Sequence, residues 1–378
     1  MVNAMIRAII IDDEPLAIQL LQSKLEGMKE YSIVGTYVSG VDLQEKVDVV
    51  DFDVAFIDIN MKGINGIDLA EFLLSKKEKL QVVFVTAYEE YAVRAFELHA
   101  VDYLLKPVSN QRLEKTTKRL LETVTLFHSE DEVRESGTVS IGCFLELMVY
   151  HNQDLVSWKT SKVKELFAFL LTHHKQYIDR DLIIEALWPN DDYKKSKIHL
   201  HTCIYHLRKL LRTLGFDQAI LFSDKCYLLS LQNVQIDVDE WLELMKNFEQ
   251  NLDTFTDEQF MRMITLYKGK YLERNDYSWA RDEAFTYHYK MVSFLKTMKV
   301  KYSQKGQYEK SLKCLSLLFK DDPYSEKLLK EMLDQLIHIG QKSEAHSLYI
   351  EFVERIQQDL GMEPSYELTN FYYHLVNE

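Results

Sequence analysis

The sequence predicts three successive folds: an α/β unit built on a parallel sheet, a small α+β unit, and an all-helical unit. Three observations carry this. Apolar runs separated by amphipathic stretches fill about residues 5–125. Alternating, β-rich runs then flank a helical block between about 139 and 231. From about Asp237 nearly everything has a helical pattern, with few chain breakers. A chain of 378 residues is long enough for two or three separate cores.

The apolar runs of the first segment are Ala8–Ile11, Ile33–Val38, Val54–Ile57, Val82–Val85 and Tyr103–Leu105. Helical stretches such as Pro15–Leu25 and Ile67–Leu74 lie between them. Short apolar runs alternating with helices imply βαβ units and a five-stranded parallel sheet covered on both faces. The polar, acidic stretch LFHSEDEVRESG (126–137) reads as a linker. Next, Val139–Trp158 contains strand-like runs broken by HNQD (151–154), and a helical block runs from SKVKELFAFLL to about Gly215. ILFSDKCYLLSL (220–231) reads as a terminal hairpin, so the second unit spans 138–232. In the third segment, 233–378, Gly306 and Gly340 lie 34 residues apart, each followed by Gln. At the same offset Leu315 matches Tyr349 and Leu318 matches Phe352. A period of about 34 residues in helical sequence is the tetratricopeptide signature.

Composition narrows the function. Hydrophobic content of 47% and charged content of 28% are ordinary for a globular protein. No apolar stretch approaches the roughly 18 residues that a membrane span needs. MVNAMIRAII leads directly into a strand without a small-residue cleavage site, so no secretory leader is expected. The four cysteines (Cys143, Cys203, Cys226, Cys314) form no CxxC pair, which fits a reducing cytoplasm. A net charge of −14 argues against indiscriminate nucleic-acid binding by the whole surface.

Two sites stand out. In VAFIDINMKGINGIDL (54–69) a buried strand drives straight into one carboxylate, Asp58. The first strand, in IIIDDEP, likewise ends in Asp12 and Asp13. Strand C-terminal ends line the ligand crevice of an open parallel sheet, so these carboxylates should converge. Held close, they repel one another and need a cation; all-oxygen ligands favour Mg²⁺. One carboxylate can then act as an oxygen nucleophile toward phosphorus. Thr86, ending VVFVTAY, could donate to a phosphoryl oxygen, and Lys106, in DYLLKPV, could neutralise another.

The second site is YKKSKIHLHTCIYHLRKLLRTLGF (193–216), with six Lys or Arg and no Asp or Glu. On a helix, Leu200, Ile204, Leu207, Leu211 and Leu214 share one face. The opposite face presents Lys195, Thr202, Tyr205, His206, Lys209 and Arg212, with His199 at the margin. A buried stripe backed by a cationic, hydrogen-bonding face suits a helix laid in the major groove of double-stranded DNA. His199, Cys203 and His206 also fall on one side and could ligate Zn²⁺. Cys203 leans toward the apolar stripe, however, and no fourth ligand is evident, so groove or core roles are expected.

The set IIIDDEP, FIDIN, FVTAY and DYLLKP resembles the receiver domain of bacterial two-component response regulators, over about 1–125. That resemblance implies a flavodoxin-like strand order and a sensor histidine kinase as partner. It implies Asp58 as phosphoacceptor, Asp13, Asp58 and the carbonyl of Asn60 on Mg²⁺ with Asp12 in support, and Tyr103 as the aromatic that follows Thr86. The context LFAFLLTHHKQYIDRDLIIEALWP…LRKLLR resembles the winged helix-turn-helix DNA-binding domain of the OmpR/PhoB type. It implies that the basic helix reads DNA and that Lys225 at the hairpin tip touches the minor groove or phosphate. One departure is that His206 and Tyr205 stand where arginine is usual. The ending IQQDLGMEPSYEL, with the repeat before it, resembles the bacterial transcriptional activator domain that follows a winged helix in SARP-type regulators. That implies protein contacts with a second copy or RNA polymerase.

The combined reading is a phosphorylation-controlled transcriptional regulator rather than an enzyme. Phosphorylation would reshape the face near Arg94–Leu98 and Gln111–Arg119 and promote a homodimer. Two rivals are an adaptor acting by protein contacts without DNA, and a phosphatase, because Asp51-Phe52-Asp53 resembles the paired aspartates of haloacid-dehalogenase-type enzymes. In those enzymes the pair closes a hydrophobic strand, whereas here it precedes one.

Overall fold

Alternation within each apolar run decides the first domain. In the computed structural model, which describes residues 5–47, 49–77, 80–88, 100–129 and 137–377, the strands are β1 (Ile6–Ile11), β2 (Tyr31–Tyr37), β3 (Val54–Ile57), β4 (Gln81–Thr86) and β5 (Asp102–Leu105). All pair in parallel, in the order β2-β1-β3-β4-β5. Ile9, Ile11, Ala55, Ile57, Val82 and Phe84 fill one core, and Ala8, Ile10, Val54, Phe56, Val83 and Val85 fill the other. Both faces of the central strands are buried, so their positions are mostly apolar, which is why the runs read as continuous.

α1 (Pro15–Glu26) and α4 (Asn110–Ser129) cover the second core through Ile18, Leu21, Leu25, Leu113 and Leu120. α2 (Gly40–Gln44) and α3 (Gly66–Lys76) cover the first through Leu43, Leu69, Ala70 and Leu73. α4 runs to Ser129, into the stretch read as a linker; residues 130–136 of that stretch lie outside the described residues.

The second module begins with β6 (Val139–Gly142), β7 (Met148–His151) and β8 (Asp154–Leu155). Asn152 and Gln153, with φ of 50° and 74°, make the tight turn between β7 and β8. Three capped helices follow: α5 (Ser161–Thr172), α6 (Arg180–Leu187) and α7 (Tyr193–Thr213). Their caps are Thr160, Asp179 and Asp192, each accepting from a first-turn amide. β9 (Ile178–Asp179), β10 (Ile220–Ser223) and β11 (Cys226–Leu229) form the closing sheet. Asp224 and Lys225 sit at the hairpin tip with φ of 50° and 62°.

A border near residue 232 would cut through this packing. β12 (Gln235–Ile236) pairs with β6, and Asp237 accepts from the Cys143 and Phe144 amides at 2.8 and 3.1 Å. Trp241 packs edge-on against Phe144 at 5.4 Å. The compact unit is Met1–Leu242 together with Arg274–Ala280. Two-residue strands and a returning loop carry too little pattern to be read from sequence.

His174 Nε2 lies 2.9 Å from Asp239, joining the end of α5 to α8 (Asp237–Gln250). That bond raises the imidazole above its ordinary value despite partial burial. The stabilisation is therefore complete below pH ~6.5 and is lost as pH rises through the raised folded value. His174→Gln should cost about 0.5 kcal/mol more at pH 6 than at pH 9, the pair being partly solvated. Urea melts followed by tryptophan fluorescence measure this; equal losses at both pH values would contradict it.

The second unit, Glu243–Glu273 with Arg281–Glu378, is helical. After α9 (Asp257–Leu266), α10 (Arg281–Gln304) and α11 (Tyr308–Asp321) form one hairpin, and α12 (Glu326–His338) and α13 (Lys342–Leu360) another. The repeat is written in the backbone. Gly306 and Gly340 have φ of 70° and 81°. Gln307 donates to Tyr302 O and Gln341 to Leu336 O, both at 2.9 Å, so one C-capping motif recurs 34 residues on. Leu315, Leu318, Tyr349 and Phe352 are all buried. Ser365 caps α14 (Tyr366–Asn377) by accepting from the Leu368 amide.

Candidate functional site

At the C-terminal edge of the parallel sheet, ligand oxygens of Asp12, Asp13 and Asp58 lie within 4.8 Å of one another. Asp12 and Asp58 are buried and Asp13 is half-buried. The topology explains the meeting: β1 and β3 are neighbours, and each delivers its carboxylate at the same end. Lys106 Nζ bridges the cluster, 2.6 Å from Asp12 and 3.0 Å from Asp58. Burial pushes the Asp12 carboxyl up, only partly opposed by Lys106 and the Glu14 amide. Burial alone would lower Lys106, but the two carboxylates reverse this and hold it above the ordinary amine value. Asp13 accepts from the Lys62 amide at 3.2 Å. The Asn60 amide lies 3.4 Å from Asp58 Oδ1, and Asn60 itself is exposed.

Thr86 ends β4 with no solvent exposure, and its hydroxyl has no hydrogen-bond partner among the described residues. A buried unsatisfied hydroxyl costs about 1–3 kcal/mol unless a ligand completes it. Tyr103 is half-buried and donates to the Tyr88 carbonyl. The Lys106–Pro107 peptide bond is cis. Asp102, also buried, gathers Arg112, Arg119 and Thr116 from α4. Arg94–Leu98 lie outside the described residues.

The paired aspartates of the phosphatase reading sit elsewhere. Arg7 binds Asp53 and Asp51, and burial is outweighed by these partners, which raise the guanidinium further. Arg7 and Asp53 stand at the N-terminal ends of β1 and β3, opposite the acidic cluster.

On α7 and its C-cap, Leu200, Ile204, Leu207, Leu211 and Leu214 are buried. Lys195, His199 and Lys209 are exposed, and Thr202, Tyr205 and His206 half-buried. Lys225 is exposed at its hairpin tip. Arg212 is a correction: it is 8% exposed rather than on an open reading face. It shares a stripe with His201 and Arg208, at spacings of 7 and 4, and both of those are buried too. The helix is thus covered on two adjacent faces, and its open face is narrower than a wheel with one apolar side suggests. His206 is held below its ordinary value by burial and by Lys159 and Lys209, so it is a neutral hydrogen-bonding ring at pH 7. Burial pushes the Cys203 thiol up to about 11, which disfavours the thiolate a zinc site requires. Among the described residues, Asp12, Asp13 and Asp58 are the metal-competent cluster.

Sequence reasoning missed Lys159 and Lys162. With His199, Thr202 and His206 they line a cleft of about 590 Å³ beside α7. Both lysines flank the N-terminus of α5, a placement visible only once that helix is set against α7. It also left Glu71 unassigned, although a carboxylate among the apolar residues of LAEFLL marks an unusual position.

Residues 8–118 match the response regulator receiver domain, 156–223 the C-terminal domain of transcriptional regulatory proteins, and 253–375 the bacterial transcriptional activator domain. The transcriptional regulatory protein BtsR of Salmonella typhi is 44% identical over 116 residues, covering 31% of this chain and 48% of that protein. BtsR of Escherichia coli K12 is 43% identical over the same shares. The chain thus spans about half the length of the curated relatives it matches. Among solved structures, the response regulatory domain of mrkE from Klebsiella pneumoniae is 35% identical, with a TM-score of 0.29, covering 32% of this chain and 98% of that one.

Proposed function

We propose that this chain, a response regulator assembled from a receiver, an OmpR/PhoB-type DNA-binding domain and a bacterial transcriptional activator domain, is a cytoplasmic transcription regulator controlled by phosphorylation of Asp58. The observation that carries this is the convergence of Asp12, Asp13 and Asp58 at the sheet edge where β4 ends in Thr86, whose hydroxyl has no partner among the described residues. An oxygen of Asp58 attacks the phosphorus of a phosphohistidine on a sensor kinase. The O–P bond forms, the N–P bond breaks, and the imidazole nitrogen takes up a proton. The all-oxygen donor set fits Mg²⁺, which Asp12, Asp13, Asp58 and the Asn60 carbonyl would hold; the ion supplies neutralisation of negative charge. Lys106 turns from the carboxylates toward one phosphoryl oxygen and Thr86 donates to another, with Tyr103 following. The modification adds roughly −2 charge, so the arrangement that best pairs it gains population.

The face around Gln111–Arg119, with Asp102 beneath it, then joins two copies and places two winged helices on repeated half-sites. Lys195, Lys209 and Lys225 meet phosphates, as do Lys159 and Lys162, while His199, Thr202, Tyr205 and His206 approach base edges. The helical unit contacts RNA polymerase or a second copy. Reversing two exposed charges on α7, Lys195→Glu with Lys209→Glu, should weaken DNA binding on the order of a hundredfold and flatten its salt dependence. Genomic DNA selection followed by titration at several salt concentrations measures both. Unchanged binding would favour the adaptor reading instead.

A further inference from the structure

α3 does more than cover the receiver core. Asp68 accepts a hydrogen bond from Lys197 Nζ at 2.7 Å and lies 3.5 Å from Arg180 Nη1. Burial is outweighed by Lys197, Arg180 and His201, which together hold its carboxyl below the usual range. One turn on, Glu71 Oε1 lies 3.2 Å from His201 Nδ1, with both side chains almost fully buried. β10 packs along the same helix, and the Gln218 amide reaches the Lys76 carbonyl at 3.4 Å. Arg180, Lys197, His201 and Gln218 all belong to the DNA-binding module; Lys197 and His201 lie on α7 itself.

We infer that this contact is a latch: α3 of the receiver clasps one edge of α7 and keeps it off DNA until Asp58 is phosphorylated. The inference rests on the phosphorylation-controlled reading above, and three observations carry it.

The first is exclusion. α5 and α6 back α7 on its own module's side, whereas α3 closes a further edge of a helix that must enter a groove only about 12 Å wide, so the docked receiver stands at the margin of the DNA-facing side. The latch also occupies Lys197 and sets two carboxylates alongside a face that must meet phosphates.

The second is a direct path from the phosphoacceptor. α3 begins at Gly66, whose amide donates to the Ile59 carbonyl at 2.8 Å. A Cβ on Gly66 would lie 2.0 Å from the Asp58 carbonyl oxygen, so the helix starts in backbone contact with the modified residue. Asp68 is two residues into that helix.

The third is poise. Both Glu71 oxygens, both His201 ring nitrogens and Arg180 Nε are buried without a well-formed hydrogen bond among the described residues. Buried polar groups held close together but poorly hydrogen-bonded do not make a deep energy well, so a modest bias opens the contact.

The test uses the full chain with Asp68→Lys, and Glu71→Gln as a milder second variant. Amide exchange across residues 197–212 reads docking without DNA; DNA titration without a phosphoryl donor reads its consequence. Both variants should exchange faster in α7 and bind DNA about tenfold more tightly than the unphosphorylated wild type, with phosphoryl uptake from acetyl phosphate unchanged. Adding Lys197→Asp to Asp68→Lys should restore slow exchange. Wild-type exchange in both variants would overturn the latch. Faster exchange with unaltered DNA affinity would overturn its control of DNA binding. Absence of DNA binding by every protein would overturn the regulator reading itself, while the exchange still decides whether the latch exists.

Discussion

Asp58→Asn abolishes phosphoryl uptake: incubation with acetyl phosphate and Mg²⁺ should leave the variant unmodified, a loss of at least about a thousandfold in rate. The asparagine keeps the shape of the side chain and removes the oxygen proposed as the nucleophile. Asp12 and Asp13 are carboxylates as well, yet neither should substitute. Both Asp12 oxygens are engaged, one by Lys106 at 2.6 Å and the other by the Glu14 amide at 3.0 Å, whereas Asp58 Oδ1 meets the Asn60 amide at 3.4 Å; Asp13 accepts from the Lys62 amide. The loss cannot be put down to unfolding, because the substitution removes one of three mutually repelling carboxylates while Lys106 keeps Asp12. The receiver of the variant should therefore melt no lower than that of the wild type. Intact-mass spectrometry with and without hydroxylamine, which cleaves acyl phosphates, measures the uptake. Hydroxylamine-sensitive phosphate on Asp58→Asn would assign the chemistry to another residue.

Gly66→Ala should destabilise the receiver by about 3 kcal/mol. The new Cβ would stand 2.0 Å from the Asp58 carbonyl oxygen and 2.8 Å from the Ile59 Cα. Both neighbours are backbone, so no side-chain rotation relieves the overlap. Either α3 withdraws or the strand end carrying Asp58 shifts, and the proposed phosphoacceptor is disturbed in both cases. In scanning calorimetry the receiver transition should fall by on the order of 10 °C. All four tryptophans (Trp158, Trp188, Trp241, Trp279) lie beyond the receiver, so the transition seen by their fluorescence should move far less. An unmoved receiver transition would mean that α3 and the Asp58 strand are not in the close contact described.

The acidic site was legible because strand ends carry a positional rule. Once the runs at 8–11 and 54–57 are taken as neighbouring parallel strands, Asp12, Asp13 and Asp58 must gather at one edge, and β4 brings Thr86 to the same edge. The 34-residue repeat was legible for a similar reason, since a left-handed helix end calls for glycine and Gly306 and Gly340 fill equivalent positions. Other features depend on contacts that periodicity does not encode. The five leucine-type positions of α7 report one buried face, but nothing in 193–216 reveals that Lys197 and His201 meet Asp68 and Glu71 from 129 and 130 residues earlier in the chain. Helical spacing sets Arg212 on the face opposite the apolar stripe. It is buried because it shares the stripe of His201 and Arg208. The return of Arg274–Ala280 to the first unit, where Asn275 accepts from the Leu147 amide at 2.8 Å, has no local signal at all.

The central claim, that a phosphoryl group on Asp58 governs DNA binding, is tested most directly by titrating one DNA site with the full chain. The titration is run with Mg²⁺ alone and with Mg²⁺ plus beryllofluoride, for wild type and Asp58→Asn. Beryllofluoride should tighten binding by wild type about tenfold or more and leave Asp58→Asn unchanged. The same affinity in all four titrations would contradict the account.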